Sequence, residues 1–415
     1  MSAFTETQQN VGMRKRVPLR ESFIEAFPEL TPVLTLIKKN TGKKTTSPES
    51  SEVEWPFKTF RGPRNRPIYD GDDVNFSTEA EHNEDNKTML KGRIQLIRAA
   101  VQTGRIAEAV INQHGGVEAG GAKSIHKDHI KDALRGMRED KEFIICSDAD
   151  SKAQATIGGV KVPYQTRGFA SWCRRGSPSH SDLGIPSMAQ IPAGQIKSIS
   201  NPAAFEESDI NAMLQSCWTA RKSNGDWKMF CVPDLQTRMN DFLCYGELSE
   251  TKMPIRRYNQ EAAKDTIRLH VKIYESSFGR VTNVPKTGLP GTVTRNVTTA
   301  NGDATLTGLS TTDDLYAGMP ISGTGIPANT RILYIVSATS VELTAAATAS
   351  ATVSATIGQE VYAELMDFDF HEYNYVDEVG WKPLEDKGGG PRGYADSLSF
   401  YANLNPQAHA IILKS

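Results

Sequence analysis

Two histidines, His126 and His129, stand three residues apart in a segment with helical periodicity. This spacing puts both imidazoles on one face of a helix, as at the two-histidine edge of a zinc site. Zinc requires a third protein ligand, and no residue at a recognised spacing supplies one. We therefore expect two exposed helix histidines, and we predict neither a metal nor a cofactor.

A second candidate for cation chemistry is a run of carboxylates and an imidazole: Asp367, Asp369, His371 and Glu372. Oxygen and imidazole ligands of this kind suit divalent cations. Phe368 and Phe370 alternate with them, however, and alternation of apolar and polar residues is typical of a half-buried strand. We predict a strand with a polar face at this position rather than a cation site.

The cysteines are the remaining candidates for chemistry: Cys146, Cys173, Cys217, Cys231 and Cys244. They form no CxxC pair, and an odd number scattered along a long chain does not indicate a disulfide framework. Cys146, Cys217 and Cys231 lie in apolar contexts and are predicted core residues. Cys173 and His180 could be a nucleophile and its base, but their proximity in sequence is the only support for this pairing. Without a Walker loop or a GxGxxG turn after a strand, we predict no enzymatic activity.

The composition excludes several other classes of protein. The 415 residues are 38% hydrophobic and 23% charged, which is ordinary for a globular chain of two to four domains. Lys and Arg total 47 and Asp and Glu 49, so the net charge of −2 lacks the basic surplus of a broad nucleic-acid binder. No apolar run reaches the ~18–20 residues of a membrane span, and the first ten residues have no apolar segment of a secretory signal. We expect a soluble protein made inside a cell.

Residues 1–50 are predicted to form an arm rather than a domain. They are polar and basic at first, and they then carry one apolar stretch that prolines interrupt. This stretch is too short to form a hydrophobic core of its own, so we expect a neighbouring subunit to cover it. The alternative is a flexible terminus. The residues that we expect to be buried between subunits are Phe23, Phe27, Leu34 and Ile37.

Residues 51–103 are predicted to form two strands joined by a long polar connection. Val53, Trp55 and Phe57 alternate with charged residues, and Ile94 and Leu96 do the same further on. A polar connection of this length is uncommon inside a compact domain, so we expect a hairpin that projects outward. The connection carries three arginines that should pair with acidic groups of a neighbour, or else form a solvated loop: Arg61, Arg64 and Arg66.

The centre of the chain alternates helix and strand. An apolar stripe over 124–146 predicts a long amphipathic helix, and the segment 205–285 predicts a compact α/β domain. Residues 359–415 return to strands, with closing strands expected at Asp396–Ala402 and His409–Leu413.

The composition changes near residue 287. Between Gly291 and Ile357 there is no Lys, His, Cys or Trp, and short β-type runs are separated by turn clusters. This pattern predicts a small all-β module, with a low-complexity linker as the weaker alternative. The flanks Val281–Pro285 and Val361–Leu365 both have strand patterns, so the module is predicted to be an insertion into one parent domain.

The ordered series of arm, long hairpin, long helix, α/β domain and returning strands resembles the HK97-fold major capsid proteins of tailed bacteriophages. More narrowly, it is similar to the subgroup that includes the major head protein of phage SU10. The segments that carry the resemblance are FIEAFPELTPVLTLIKKN, SEVEWPFKTF, MLKGRIQLIRAAVQTGRIAEAV, KDALRGMREDKEFIIC, GVKVPYQTRGFASW and RLHVKIYESSFGRVTNVP. The β module departs from the basic pattern of this family and resembles small Ig-like modules of phage structural proteins.

The resemblance implies an α+β, HK97-like capsid fold with an inserted all-β domain. The expected parts, in chain order, are an N-terminal arm (1–50), the E-loop with its flanking strands (51–103), a P-domain with the spine helix (104–164), an A-domain (165–286), the inserted Ig-like β domain (287–358) and the return strands of the A- and P-domains (359–415). The E-loop of this fold overlies the adjacent subunit, and the A-domains meet around the symmetry axes.

The implied function is that of a major capsid protein, which assembles through hexamers and pentamers into an icosahedral head around double-stranded DNA. The implied partners are other copies of the chain, with decoration, scaffold and portal proteins as further candidates, and with DNA contacted only non-specifically and no membrane. The implied location is the virion, after assembly in the host cytoplasm. Two alternatives stay open: another phage tail or decoration protein, and a hydrolase or carbohydrate-binding protein whose β module is the binding unit.

Overall fold

A computed structural model describes residues 31–41, 51–59, 65, 67, 69, 70, 73, 87–106, 125–174, 183–242, 272–386 and 388–415. The helices in these residues are α1 (Pro32–Leu36), α2 (Ile125–Cys146), α3 (Phe169–Trp172), α4 (Glu207–Arg221) and α5 (Pro233–Phe242). The strands up to the predicted module are β1 (Lys38–Thr41), β2 (Glu52–Lys58), β3 (Lys87–Arg93), β4 (Gln95–Gln102), β5 (Ala155–Ile157), β6 (Val160–Val162), β7 (Ile196–Ile199), β8 (Gly225–Cys231), β9 (Ile273–Ser276) and β10 (Gly279–Pro285). The later strands are β11 (Val293–Thr299), β12 (Thr305–Leu306), β13 (Ile321–Ser322), β14 (Ile332–Ser337), β15 (Ser340–Leu343), β16 (Ala351–Ile357), β17 (Val361–Asp367), β18 (His371–Leu384), β19 (Arg392–Asn403) and β20 (Ala410–Lys414).

The largest sheet in the described residues has six strands, in the order β7-β20-β17-β8-β10-β9. Helices α4 and α5 bury their apolar faces against it, and all seven residues of its inner strand β17 are buried. The predicted succession of helix, strand and helix over 205–243 is confirmed. Helix α5 begins at Pro233, because a proline is tolerated in the first turn of a helix. Trp218, predicted as part of the buried stripe of α4, lies at its edge and is exposed. The strand predicted over 267–273 lies outside the described residues except for its last two positions.

A second sheet has four strands, in the order β1-β18-β19-β4. Helix α2, predicted over 124–146, packs on β4 and β19 through Met137, Ile97 and Ala395. Lys141 is buried in the same face because its ammonium group donates to the hydroxyl of Ser397 at 2.9 Å. Burial lowers the pKa of Lys141 to about 8.

The strand predicted through Asp367–Glu372 is wrong, because the chain turns there. Strand β17 ends at Asp367, a 3₁₀ turn follows over Phe368–Phe370, and β18 starts at His371. The turn is stabilised by the carboxylate of Asp367, which accepts the backbone N–H of Asp369 at 3.2 Å. His371 is consequently not on a polar face: it is buried and stacks on His409 with ring centroids 4.1 Å apart.

The segment predicted as a β module, 287–358, contains two three-stranded sheets in the orders β11-β16-β13 and β12-β15-β14. Their facing side chains form a separate apolar core that includes Val297, Leu306, Ile332, Val341 and Ile357. Both flanking strands belong to the six-stranded sheet, where β10 and β17 pair with the two sides of β8. The predicted all-β character of this segment is confirmed, and its Ig-like topology stays a prediction.

The entry and exit of the module lie close together. Pro285 of β10 and Ala363 of β17 are both paired in register with Cys231 of β8. They are therefore two strand spacings, or roughly 10 Å, apart. Gly358 passes over Gly291, and a Cβ atom at Gly358 would lie 2.4 Å from the carbonyl oxygen of Gly291. The positive φ of 100° at Gly358 also favours glycine at this crossing.

Removal of residues 288–358, with the ends joined by a short Gly/Ser linker, should therefore leave a folded subunit. Four linker residues span roughly 13 Å, which is enough for the gap. Circular dichroism and the thermal unfolding midpoint of the purified chain test this, and we expect the midpoint to fall by only a few degrees. A chain that no longer folds would show that the module is part of the parent core.

Candidate functional site: surfaces for subunit assembly

The hairpin β2–β3 has one buried and one charged face. Its inner face buries Trp55, whose indole N–H donates to the carbonyl oxygen of Asn403 at 3.1 Å. On the outer face Lys91 lies 2.8 Å from Glu52 and 2.7 Å from Glu54, and hydrogen bonds to these carboxylates raise the pKa of Lys91. The base of the hairpin is thus held to its own chain, which corrects the expectation that the whole hairpin projects from the core.

Most of the described residues of the connection beyond this base are exposed. Asn65, Pro67, Tyr69, Asp70 and Asp73 are all exposed, and 79% of Tyr69 is accessible to solvent. An aromatic side chain left this open within one chain is the type of group that a neighbouring molecule covers. The predicted contact residues Arg61, Arg64 and Arg66 lie outside the described residues, as do Phe23 and Phe27 of the arm.

Leu34 and Ile37 do not lie between subunits, contrary to our expectation. They are only 2% and 4% exposed within a single chain, so almost none of their surface is left for a neighbour. The reason is an anchor at the start of α1, where the carboxylate of Glu142 accepts the backbone N–H groups of Val33 and Leu34 at 3.0 and 2.7 Å. Helix α1 of the arm is therefore docked on the spine helix α2 of its own chain.

Glu142 belongs to a buried polar cluster that we call the spine junction: Glu142, Cys146, Lys286 and Glu364. Lys286 follows β10, and its ammonium group lies 2.8 Å from Glu142 and donates to the sulfur of Cys146 at 2.8 Å. Burial works against the charge of Lys286, but Cys146 and Glu142 raise its pKa, so it is a cation. Burial raises the pKa of Glu364 to about 8, so this carboxyl is neutral at pH 7. The ion pair of Lys286 and Glu142 therefore lies inside the core.

A second cluster attaches the β module to the end of α2. Asp148 accepts from Arg174 at 2.6 Å and from Arg331 of the module at 2.8 Å, while Arg174 also binds Asp150 at 2.8 Å. The backbone N–H of Asp150 donates to the carbonyl oxygen of Ala317 at 3.1 Å. Because these charged groups are partly or fully buried, the module is held in one orientation on the parent domain.

The two helix histidines share one hydrogen-bond partner. His126 and His129 both place Nδ1 within hydrogen-bond distance of the Thr103 hydroxyl, at 2.9 and 3.2 Å. Within the described parts of the chain, no group of three or more His, Cys, Asp or Glu residues is arranged to hold a metal ion. No described helix is long and apolar enough to cross a membrane.

The predicted core positions of Cys146, Cys217 and Cys231 are confirmed, and Cys173 is buried as well. Burial raises the pKa of Cys217 and of Cys231 to about 12 and that of Cys173 well above its ordinary value. A thiol that stays protonated is a poor nucleophile, so these cysteines have a packing role. Cys244 and His180 lie outside the described residues.

The sequence comparison decides between the remaining interpretations. The family described as SU10 major capsid protein matches residues 3–307. The chain belongs to this family. It is a major capsid protein with a structural role, and the match ends at Thr307, inside the β module. No curated protein is significantly similar to the chain.

Several solved phage structures are similar to the chain. A chain of the capsid of cyanophage P-SCSP1u covers 96% of this chain and 92% of its own length, with 8% identity and a TM-score of 0.51. The capsid of cyanophage A-1(L) covers 98% of both chains at 11% identity and a TM-score of 0.49, and a structure from Gordonia phage Cozz covers 100% and 96% at 10% identity and 0.45. The first of these confirms the predicted HK97-like capsid fold.

Replacement of Glu364 by Gln tests the charge state of the spine junction. In the unfolded chain this carboxyl ionises near its ordinary pKa of 4.5, whereas in the folded chain it stays protonated up to about 8. Between these values the parent chain loses on the order of 1 kcal/mol of stability per pH unit that the Gln variant does not lose. The Gln variant should therefore gain stability over its parent as the pH rises.

Urea unfolding of both chains at about pH 5 and pH 8 measures this gain. Comparison with the parent matters because other buried groups also titrate in this range. A stability difference that is the same at both pH values would mean that Glu364 is already ionised in the folded subunit.

Proposed function

We propose that this major capsid protein assembles through hexamers and pentamers into the icosahedral head of a tailed bacteriophage that encloses double-stranded DNA. The family match over residues 3–307 is the observation that carries the proposal. The subunit has no enzymatic role in this proposal, and it needs no cofactor. It is located in the virion, after assembly in the host cytoplasm.

The partners that we propose are other copies of the same chain, in the same capsomer and in neighbouring ones. Decoration, scaffold and portal proteins are further partners that a head of this type would contact. A net charge of −2 supports only weak, non-specific contact with packaged DNA at the inner face. The β module carries four acidic residues against two basic ones, so we place it on the outer face, away from DNA.

The division into parts stays part of the proposal: arm 1–50, E-loop 51–103, P-domain 104–164, A-domain 165–286, β insert 287–358 and return strands 359–415. The assembly residues are now Phe23 and Phe27 in the arm and Arg61, Arg64 and Arg66 in the E-loop. Leu34 and Ile37 are withdrawn from this set because they belong to the core of the single subunit.

Deletion of residues 1–30 should separate folding from assembly. This deletion leaves α1 and its contacts with Glu142 intact, so we expect the unfolding midpoint to stay within a few degrees of the parent value. Electron microscopy of the purified full-length chain should show closed shells, and the truncated chain should remain as free subunits or capsomers. The same loss is expected from Phe23→Ser with Phe27→Ser, whose apolar rings can no longer be buried by a neighbour.

The matched control is Gln8→Ala with Gln9→Ala, two polar changes in the same arm that should leave the shells unchanged. Regular closed shells from the truncated chain would show that residues 1–30 are not an assembly element. A full-length chain that forms tubes, fibres or stable monomers would contradict the proposed head itself.

A further inference from the structure

The chain passes between the two large sheets at two places that lie side by side. The first crossing, residues 367–371, leads from β17 of the six-stranded sheet to β18 of the four-stranded sheet. The second crossing, residues 403–410, leads back from β19 to β20. The backbone N–H of Leu404 in the second crossing donates to the carbonyl oxygen of Phe370 in the first at 2.8 Å. The two crossings are therefore in contact, and together they join the two sheets.

The buried side chain of His409 connects the crossings through both of its ring nitrogens. Its Nδ1 accepts the backbone N–H of Asp367 in the first crossing at 3.2 Å. Its Nε2 lies 3.1 Å from Oδ1 of Asn403, at the start of the second crossing. Because Nδ1 accepts a hydrogen bond, the ring proton is on Nε2, which donates to Asn403. Only the neutral ring makes both bonds, since a proton on Nδ1 would face the N–H of Asp367.

His371 stacks on His409 and is also arranged to stay neutral. Its Nδ1 is hydrogen-bonded to the hydroxyl of Tyr401, whereas its Nε2 has no hydrogen-bond partner among the described residues. A cationic His371 would bury a charged N–H at that nitrogen without an acceptor, which is costly. Burial accordingly lowers the pKa of His371 to about 3. Burial and the neighbouring ring lower the pKa of His409 well below its ordinary value.

The groups around this histidine pair do not favour an imidazolium. Arg221 of α4 binds the carboxylates of Asp367 and Asp369, and its positive charge lowers the pKa of His409 further. Burial raises the pKa of Asp367 to about 6, against the effect of Arg221. Burial also raises the pKa values of the other titratable groups on the elements packed around the pair, which are therefore neutral at pH 7: Glu364, Tyr401, Cys173 and Cys217.

We propose that the histidine pair, His371 and His409, is an acid-sensitive lock between the two crossings. Uptake of a proton by His409 breaks its bond to Asp367, and the crossings separate while both sheets stay folded. Each sheet keeps a core of its own, the six-stranded one with α4 and α5 and the four-stranded one with α2. In acid the two sheets thereby gain freedom to change their relative angle. The inference concerns the single subunit and does not depend on the proposed shell.

The sign of the pH effect follows from the two forms of the junction. In the open form water reaches the imidazoles, which then ionise near their ordinary pKa of 6.5, whereas the closed form keeps them neutral. Opening is therefore favoured as the pH falls below 6.5, and each histidine raises the open population roughly 30-fold between about pH 7.5 and pH 5. Asp367 acts in the opposite direction, because its raised pKa favours the closed form in acid. A change at a histidine separates the two effects, since Asp367 stays the same.

Hydrogen exchange measured by mass spectrometry on the full-length chain tests the lock. The parent and His409→Gln, whose amide cannot titrate, are compared at about pH 7.5 and pH 5, with each rate divided by the intrinsic rate at that pH. The acid-induced increase in exchange over residues 367–371 and 403–410 should be roughly 30-fold larger in the parent. His129→Gln on α2 is the matched control and should behave like the parent. Strand β16, in the core of the β module, should show no acid-induced increase in any of these chains.

A second variant, His371→Phe, keeps an aromatic ring stacked on His409 and removes the other titrating group. It should reduce the acid response by a similar factor, and it replaces the first variant if His409→Gln does not fold. An acid response that is the same in the parent and in these variants would overturn the proposal. An increase in the parent that includes β16 to the same extent would also overturn it, because the subunit would then unfold as a whole instead of opening at the crossings.

Discussion

The buried ion pair between Lys286 and Glu142 is the interaction on which the rest of the subunit depends. Glu142 lies on the spine helix and also binds the backbone of the arm, while Lys286 stands where the six-stranded sheet leads into the β module. The backbone N–H of Lys286 donates to the carbonyl oxygen of Cys231 at 2.9 Å, which extends the pairing of β10 with β8. Removal of one partner from a buried pair typically costs 3–5 kcal/mol, a large share of the stability of a domain.

This junction explains how a shell protein can carry extended segments without losing its own fold. The arm from residue 31 and the base of the β2–β3 hairpin are both tied to the core, by Glu142 and by Trp55 respectively. We propose that the segments beyond these anchors contact neighbouring subunits. Assembly then buries surface that a single chain leaves exposed to solvent, and mass action between subunits stabilises the bound state.

The sequence predicts the regular elements well because they follow simple periodicities. The amphipathic stripe of 124–146, the helix–strand–helix of 205–243 and the charge-poor β segment after residue 287 all have local patterns that tertiary structure did not override. Local patterns also predict the returning strands β19 and β20, although β19 starts at Arg392, four residues before the predicted position.

What local patterns could not predict are contacts between residues far apart in the chain. Leu34 and Ile37 have the pattern of an apolar arm, and only the distant Glu142 decides that this arm docks in its own subunit. The turn at Asp367–Phe370 breaks an apparent alternation because a carboxylate caps it, and the burial of Lys141 depends on Ser397 on another strand.

A double-mutant cycle on Glu142→Gln and Lys286→Met tests the central claim most directly. Urea unfolding of the parent, both single variants and the double variant gives the coupling energy of the pair. We expect about 2–3 kcal/mol of coupling, with each single variant strongly destabilised and the double variant much less than the sum, because each single change leaves one buried charge alone. The exposed pair Lys414 and Glu360, 2.6 Å apart, is the control and should couple by less than about 1 kcal/mol. Additive losses at Glu142 and Lys286, with no coupling beyond that of the control, would contradict the claim that this pair holds the subunit together.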